Sequence, residues 1–264
     1  MKIKLFQNAA IFFLSLSIAL GLAEISVRVM GAYDYDGNFY FSGRKLRPYR
    51  IPVKNIQNKL RPFLSSPPLA FMVYDPLLGW SFRPKSSSKN GLLHYNENAI
   101  RCSSPSEIIG RTPNKNVLRI AIFGDSFTHG DEVPFEQTWG YYLQNELRKY
   151  GTGAEVLNFG VRGYGTDQAF IRWSSYGKSF HPHIVILGLQ LEDVLRNVNI
   201  IRQLYQERTE IPFTKPRFII ENGDLKLINI PTPEPQRLLK LYENITSWEM
   251  IQYERWIDPE DYRP

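Results

Sequence analysis

The 264-residue chain is 43% hydrophobic and 22% charged, which supports a sizeable core and excludes global disorder. A single cysteine, Cys102, excludes an intrachain disulfide and a cysteine-cluster zinc site. Of the four histidines only His181 and His183 are close in sequence, with nothing acidic beside them, so neither a metal nor another cofactor is expected. The formal charge of +6 is a mild basic bias that points to an anionic surface and not to nucleic acid.

Residues 1–30 read as a targeting segment. Lys2 and Lys4 precede an apolar run, Ala9–Ala23, broken only by Ser15, Ser17 and Gly21. The run is shorter than the roughly 20 residues of a full span, and Glu24 and Arg28 interrupt its extension. Two outcomes fit: a signal cleaved near Gly21-Leu22-Ala23, or a retained signal-anchor helix that holds the chain on a membrane. A buried core helix is the bland alternative.

Residues 31–116 read as an irregular lead-in rich in Pro, Ser and aromatics, with Pro67-Pro68 and Ser86-Ser87-Ser88. Arg44, Lys45, Arg47, Arg50, Lys54, Lys59 and Arg61 have no acid among them. They form either a solvated basic linker or a contact for anionic lipid or glycan. Basic residues near a span favour the cytoplasm, so this run opposes the orientation set by Lys2 and Lys4.

An α/β pattern begins at Val117 and defines an expected domain over 117–264. Val117–Phe123 predicts a strand interrupted only by Arg119, followed by the turn Gly124-Asp125-Ser126. Trp139–Tyr150 has helical spacing, with Gly151 at its C-terminal end. Glu155–Phe159 predicts a second strand, and Asp167–Tyr176 a helix capped by Thr166 or Asp167. Ile184–Leu189 is a third, fully apolar strand, and Glu192–Tyr205 a third helix. Such alternation implies a parallel sheet with helices on its faces. Asn222-Gly223 between apolar runs predicts a hairpin near 217–230, and Pro235–Ile257 reads as an amphipathic helix.

Ligands of open parallel sheets bind beyond the C-terminal strand ends, where Gly124–Gly130 lies. A hydroxyl at Ser126 would sit where free N–H groups stabilise an oxyanion; an ordinary Ser-capped turn is the alternative. After the second strand, Asn158–Gln168 carries three glycines that let the backbone approach a ligand. Gly163 could aim its N–H toward the same place as Ser126, and a flexible loop is the alternative.

The segment Asp75–Asn197 resembles the SGNH/GDSL hydrolase superfamily, most closely the bacterial branch with an N-terminal membrane signal. Asp75-Pro76-Leu77-Leu78-Gly79-Trp80, Arg119–Gly130, Asn158–Gln168 and His181–Leu189 carry the resemblance. It implies a flavodoxin-like three-layer α/β/α fold, export to the cell envelope, and hydrolysis of acyl or acetyl esters on lipid or carbohydrate. By this resemblance Ser126 is the nucleophile and its N–H an oxyanion donor. Gly163 is the second donor, with Gly124, Asp125 and Asn158 supporting the motif. The third donor is normally an Asn, and Glu192 stands in its place. An ionised carboxylate only accepts hydrogen bonds. Glu192 is therefore expected either to turn away toward Arg196 at i+4, or to damage the hole. Asn197 and Asn199 are candidate substitutes.

The family's base is a His three residues after an Asp near the C-terminus, and no histidine follows His183. His129 is the nearest substitute to Ser126, His181 and His183 belong at the opposite sheet end, and His94 lies in the irregular region. Only three of about five expected strands are found, so the fold is expected to be incomplete on its C-terminal side. Ile184–Leu189 should then expose an apolar edge unless the Asn222-Gly223 hairpin covers it. The rival to the hydrolase is a membrane-anchored, non-catalytic binding or assembly protein on the same scaffold.

Overall fold

A computed structural model of the protein describes residues 2–64 and 71–258. Pro67-Pro68 and residues 259–264 lie outside the described residues. The described residues divide into two compact units, residues 2–52 with 256–258, and residues 53–64 with 71–255.

In the first unit, α1 (Lys2–Met30) is one uninterrupted helix. Its apolar part, Phe6–Met30, has 25 residues; its most apolar 18-residue window has a mean hydropathy of 2.1, and none of that window is buried. At 1.5 Å per residue it is about 37 Å long, enough to cross a bilayer core of about 30 Å. The helix thus continues beyond the apolar run Ala9–Ala23 expected from sequence. Arg28 donates to Glu24 across one turn at 2.6 Å, so these two charges pair on the helix surface instead of ending it. A small antiparallel sheet follows, built from β1 (Ala32–Tyr33), β2 (Phe39–Phe41) and β3 (Arg44–Lys45). Arg47 stacks over Trp256 at 3.8 Å and Lys45 over Tyr49 at 4.7 Å, so part of the basic run is held by aromatic faces.

The second unit opens with α2 (Val53–Leu60) and the hairpin β4 (Met72–Asp75) and β5 (Gly79–Phe82). The short strands β6 (Ser86–Ser87), β7 (His94–Tyr95) and β8 (Arg101–Cys102) follow. Next come β9 (Leu118–Gly124), α3 (Ser126–His129), α4 (Trp139–Lys149), β10 (Ala154–Asn158), α5 (Thr166–Ser175) and β11 (Ile184–Gly188). The unit ends with α6 (Leu191–Arg196), α7 (Arg202–Tyr205), β12 (Arg217–Glu221), β13 (Asp224–Ile228) and α8 (Pro235–Glu243).

The central sheet has the order β11-β9-β10-β8-β7-β6. β9 is flanked by β10 and β11, both parallel to it. Ala121, Phe123, Leu157 and Phe159 point to one face and pack with Ala169 and Trp173 of α5. Ile120, Ile122 and Val156 point to the other and pack with Leu143 and Leu147 of α4. These are the three α/β/α layers, and the order of β10, β9 and β11 is the 2-1-3 beginning of a flavodoxin-like sheet.

Several expectations need correction. The stretch 31–116 is not merely irregular, because β8 pairs antiparallel with β10 through Arg101 and Asn158 and carries β7 and β6 with it. The sheet is therefore mixed. The helix expected over 192–205 is two helices. Glu254 accepts the N–H groups of Ile200 and Ile201 at 2.7 and 2.8 Å, bonds a continuous helix would have made internally. The helix expected over 235–257 stops at Glu243. Asn244 is bonded locally by Ser247 and Thr246, which competes with helical pairing. The cap of α5 is Gly165, one residue before those expected.

The hairpin forms with Asn222 and Gly223 at positive φ. It makes its own two-stranded sheet and leaves the outer edge of β11 without a partner among the described residues. Ile184, Val185 and Leu187 are 44%, 43% and 48% exposed.

Candidate active site

The turn after β9 is fixed from several sides. Gly124 has φ +156°, and a Cβ there would run into Thr128 and the Gly188 carbonyl. Asp125 is fully buried, and its Oδ1 accepts the Phe127 N–H at 2.9 Å. Its Oδ2 accepts from Arg196 at 2.9 Å and from the Gln190 amide. Ser126 follows, half-buried, and its Oγ has no hydrogen-bond partner among the described residues.

Asn158 ties the two loops at the strand ends together. Its Nδ2 donates to the Thr128 carbonyl at 2.8 Å, and its Oδ1 accepts the Gly160 N–H at 2.9 Å. Gly163 sits in the second loop at φ +77°. A Cβ there would lie 2.7 Å from Nη2 of Arg202. The loop is clamped by the hairpin β4–β5: Trp80 donates to the Arg162 carbonyl at 3.0 Å, and Tyr164 to the Trp80 carbonyl at 2.6 Å. Gln168 donates to the Leu78 carbonyl at 2.6 Å. The segment Asp75–Trp80 thus positions the Gly163 loop, a role no local pattern in the sequence announces.

Ser126, Gly163, Glu192, Arg196 and Arg202 line one cavity of about 670 Å³. Neither the Ser126 N–H nor the Gly163 N–H has an acceptor among the described residues. Glu192 is 60% exposed and accepts from Arg196 Nη2 at 3.2 Å, forming the i,i+4 pair. It nonetheless stays on the cavity wall. Burial and the nearby Asp125 carboxylate raise the Asp193 pKa to about 6, against the backbone bond from Gln190 and the pull of Arg196.

Asn197, a candidate substitute donor, is engaged elsewhere. Its Oδ1 accepts the Asp167 N–H at 3.2 Å and its Nδ2 donates to Thr166 at 2.5 Å, so its amide serves the start of α5. Asn199 is likewise committed, donating to the Ile201 carbonyl at 2.7 Å.

None of the four imidazoles is placed on Ser126. His129 is fully buried, with Nε2 2.6 Å from the Tyr95 hydroxyl. Its Nδ1 lies 2.5 Å from Asp131 Oδ1, in contact though poorly aligned for a hydrogen bond. Burial pushes the His129 pKa down against the pull of Asp131. Burial works to raise the Asp131 pKa, but His129 and Arg162 outweigh it and hold the carboxyl below its ordinary range. His183 accepts the Arg119 N–H at the start of β9, the opposite end of the sheet. His94 Nδ1 bonds Ser87, and His181 terminates a turn at φ +49°.

A profile of the GDSL-like lipase/acylhydrolase family matches residues 120–252, half of the chain. An arylesterase of Vibrio mimicus is 27% identical over 78 residues, 30% of this chain and 39% of the arylesterase. The chain thus spans about two fifths of the length of that curated relative. The solved structure titled "Crystal Structure of TesA" is 24% identical and covers 30% of this chain and 43% of its own, with a TM-score of 0.28. With the strand–turn–helix carrying Gly-Asp-Ser inside the matched region, the chain belongs to the GDSL-like lipase/acylhydrolase family.

Proposed function

We propose that the protein is a serine ester hydrolase acting on acyl or acetyl esters of lipid or carbohydrate, with Ser126 as the nucleophile. The observation that carries this is the shared cavity wall: a half-buried Ser126 hydroxyl on the same cavity as Gly163, where that hydroxyl and the backbone N–H groups of Ser126 and Gly163 have no partner among the described residues. Such donors stabilise the oxyanion of a tetrahedral intermediate. Asp125 and Asn158 fix the turn, and Gly124 makes it sterically feasible.

No imidazole among the described residues takes the Ser126 proton. Without a base, oxyanion-hole and binding effects alone leave roughly 10³–10⁴ over water in serine hydrolases. Labelling with a fluorophosphonate tests the assignment. Labelling of the wild type that disappears in Ser126→Ala supports it, and labelling that persists in Ser126→Ala sinks it.

Glu192, in the place of the family's Asn donor, motivates a second reading that the family match does not favour: a non-catalytic binding protein on the same scaffold. That protein would keep its cellular role in Ser126→Ala. α1 is proposed as an envelope-directing signal or anchor. Recovery of an N-terminally intact chain only from the membrane fraction after alkaline washing would mark it as an anchor. The Arg44–Arg61 stretch is proposed to meet an anionic surface, and binding to anionic vesicles must then weaken as salt is added.

A further inference from the structure

Four arginines line the cavity beside Ser126: Arg162, Arg196, Arg202 and Arg208. Two are neutralised from within the fold. Arg196 meets Asp125, Asp193 and Glu192, and Arg162 meets Asp131. Arg208 is on the exposed rim.

Arg202 differs from all three. It is only 3% exposed, yet forms no ion pair among the described residues. Its Nη2 donates to the amide oxygen of Gln206, a neutral partner. Its Nε and Nη1 are buried without an acceptor among the described residues. The Tyr205 ring lies 5.9 Å away, and an aromatic face does not neutralise a cation. Burial, with Arg196 close by, lowers its pKa to about 10, so it still carries its charge at neutral pH. Asp125 and Glu192 are near enough to favour its charge without pairing with it, and a buried charge without a pairing partner is among the most unfavourable features a fold can hold.

The guanidinium rests directly on Gly163, whose missing side chain leaves it that room. An anion taken by Arg202 would therefore lie beside Gly163, in the cavity that Ser126 lines. Nη2 keeps a second N–H beyond its bond to Gln206, and together with the adjacent unpaired N–H of Nε or Nη1 it makes one forked edge that matches carboxylate and phosphate oxygens.

We infer that Arg202 forms a subsite for an anionic group, a carboxylate or phosphate, carried by the ester substrate close to its scissile bond. The inference rests on Ser126 being the nucleophile and narrows the substrate class: a negatively charged ester is preferred to a neutral alkyl ester of the same size.

The test uses the full chain in detergent with inorganic phosphate as the probe, at constant ionic strength set by chloride. Melting temperature and ³¹P line broadening are followed. The wild type should show saturable stabilisation and broadening. Arg202→Gln should weaken phosphate binding about tenfold or more, and Lys178→Gln, an exposed site outside the cavity, should not change it. Monoethyl succinate should displace phosphate, and ethyl butyrate should not. If Arg202→Gln does not fold, Arg202→Lys keeps the charge without the fork and should still weaken binding severalfold.

The subsite is overturned by a wild type with no saturable phosphate effect, or by folded Arg202 variants that bind as the wild type does. It is equally overturned by bound phosphate that monoethyl succinate fails to displace, which would mark a site for free phosphate only. None of these readouts needs turnover. Fluorophosphonate labelling that does not depend on Ser126 would sink the hydrolase reading without altering them, so the two failures are distinguishable.

Discussion

β9 and β11 are neighbouring parallel strands of the same apolar character, paired Ile184 to Ile120 through Gly188 to Gly124. Their fates differ. All but the first residue of β9 are buried, and no residue of β11 is. β9 has a strand on each side and a helix over each face; β11 has a strand on one side only among the described residues. Apolar sequence makes a strand eligible for burial, and the number of neighbours decides how much of it is achieved. The strand ends converge where function is proposed: Asp125 after β9 is bonded by Gln190 and Arg196 from beyond β11.

The contrast predicts unequal responses to the same truncation. Phe123→Ala removes a ring stacked on Phe159 at 4.8 Å and should cost about 3–5 kcal/mol in urea unfolding. Leu187→Ala at the partner position on β11 should cost less than about 1 kcal/mol. Equal losses would show that β11 is as enclosed as β9.

Arg119, the only charge in β9, sharpens the same contrast. Its Nε pairs with Glu155 at 2.7 Å, and its Nη1 donates to the carbonyls of Gly110, Arg111 and Phe180 at 2.7–2.8 Å. Arg119→Leu strands these acceptors and should cost about 2–3 kcal/mol, although it makes the strand more hydrophobic.

A smaller effect is expected where the two strand ends lock. Asp193 has its pKa raised from about 3.9 in the unfolded chain to about 6 in the fold. The folded state then holds the proton more tightly. The associated stability is full below about pH 4, declines as pH rises, and is gone above about pH 6, a change of at most about 3 kcal/mol. Asp193→Asn should remove that slope from a pH series of unfolding midpoints. A slope unchanged by the substitution would assign it elsewhere.

The smallest change in stability is expected at the edge. Val185→Lys should alter it by less than about 0.5 kcal/mol while reducing self-association in light scattering. A large loss of stability would mean that something covers β11.

Much of the α/β core was legible because its signals are local. Alternating apolar positions in 118–124 and 154–158 serve two opposite faces, Asn222-Gly223 needs only its own turn geometry, and Gly151 at φ +82° ends α4 by itself. The two overlong helices were misread because periodicity does not register a distant competitor such as Glu254 or a local one such as Asn244. The strands β6–β8 were missed because two-residue strands carry no period at all.

The site divides the same way. Sequence by itself determined the chemistry on offer: a Gly-Asp-Ser turn after an apolar strand, a glycine-rich second loop, a glutamate at position 192 and only four histidines. Those are properties of residue type and of neighbours a few positions away. Tertiary structure alone decided that Asn197 faces α5, that both nitrogens of His129 are engaged away from Ser126, and that Trp80 clamps the Gly163 loop. It also decided that Arg202 is left buried without a carboxylate. Each depends on groups far apart in the chain, whose burial and pairing exist only once the layers have packed.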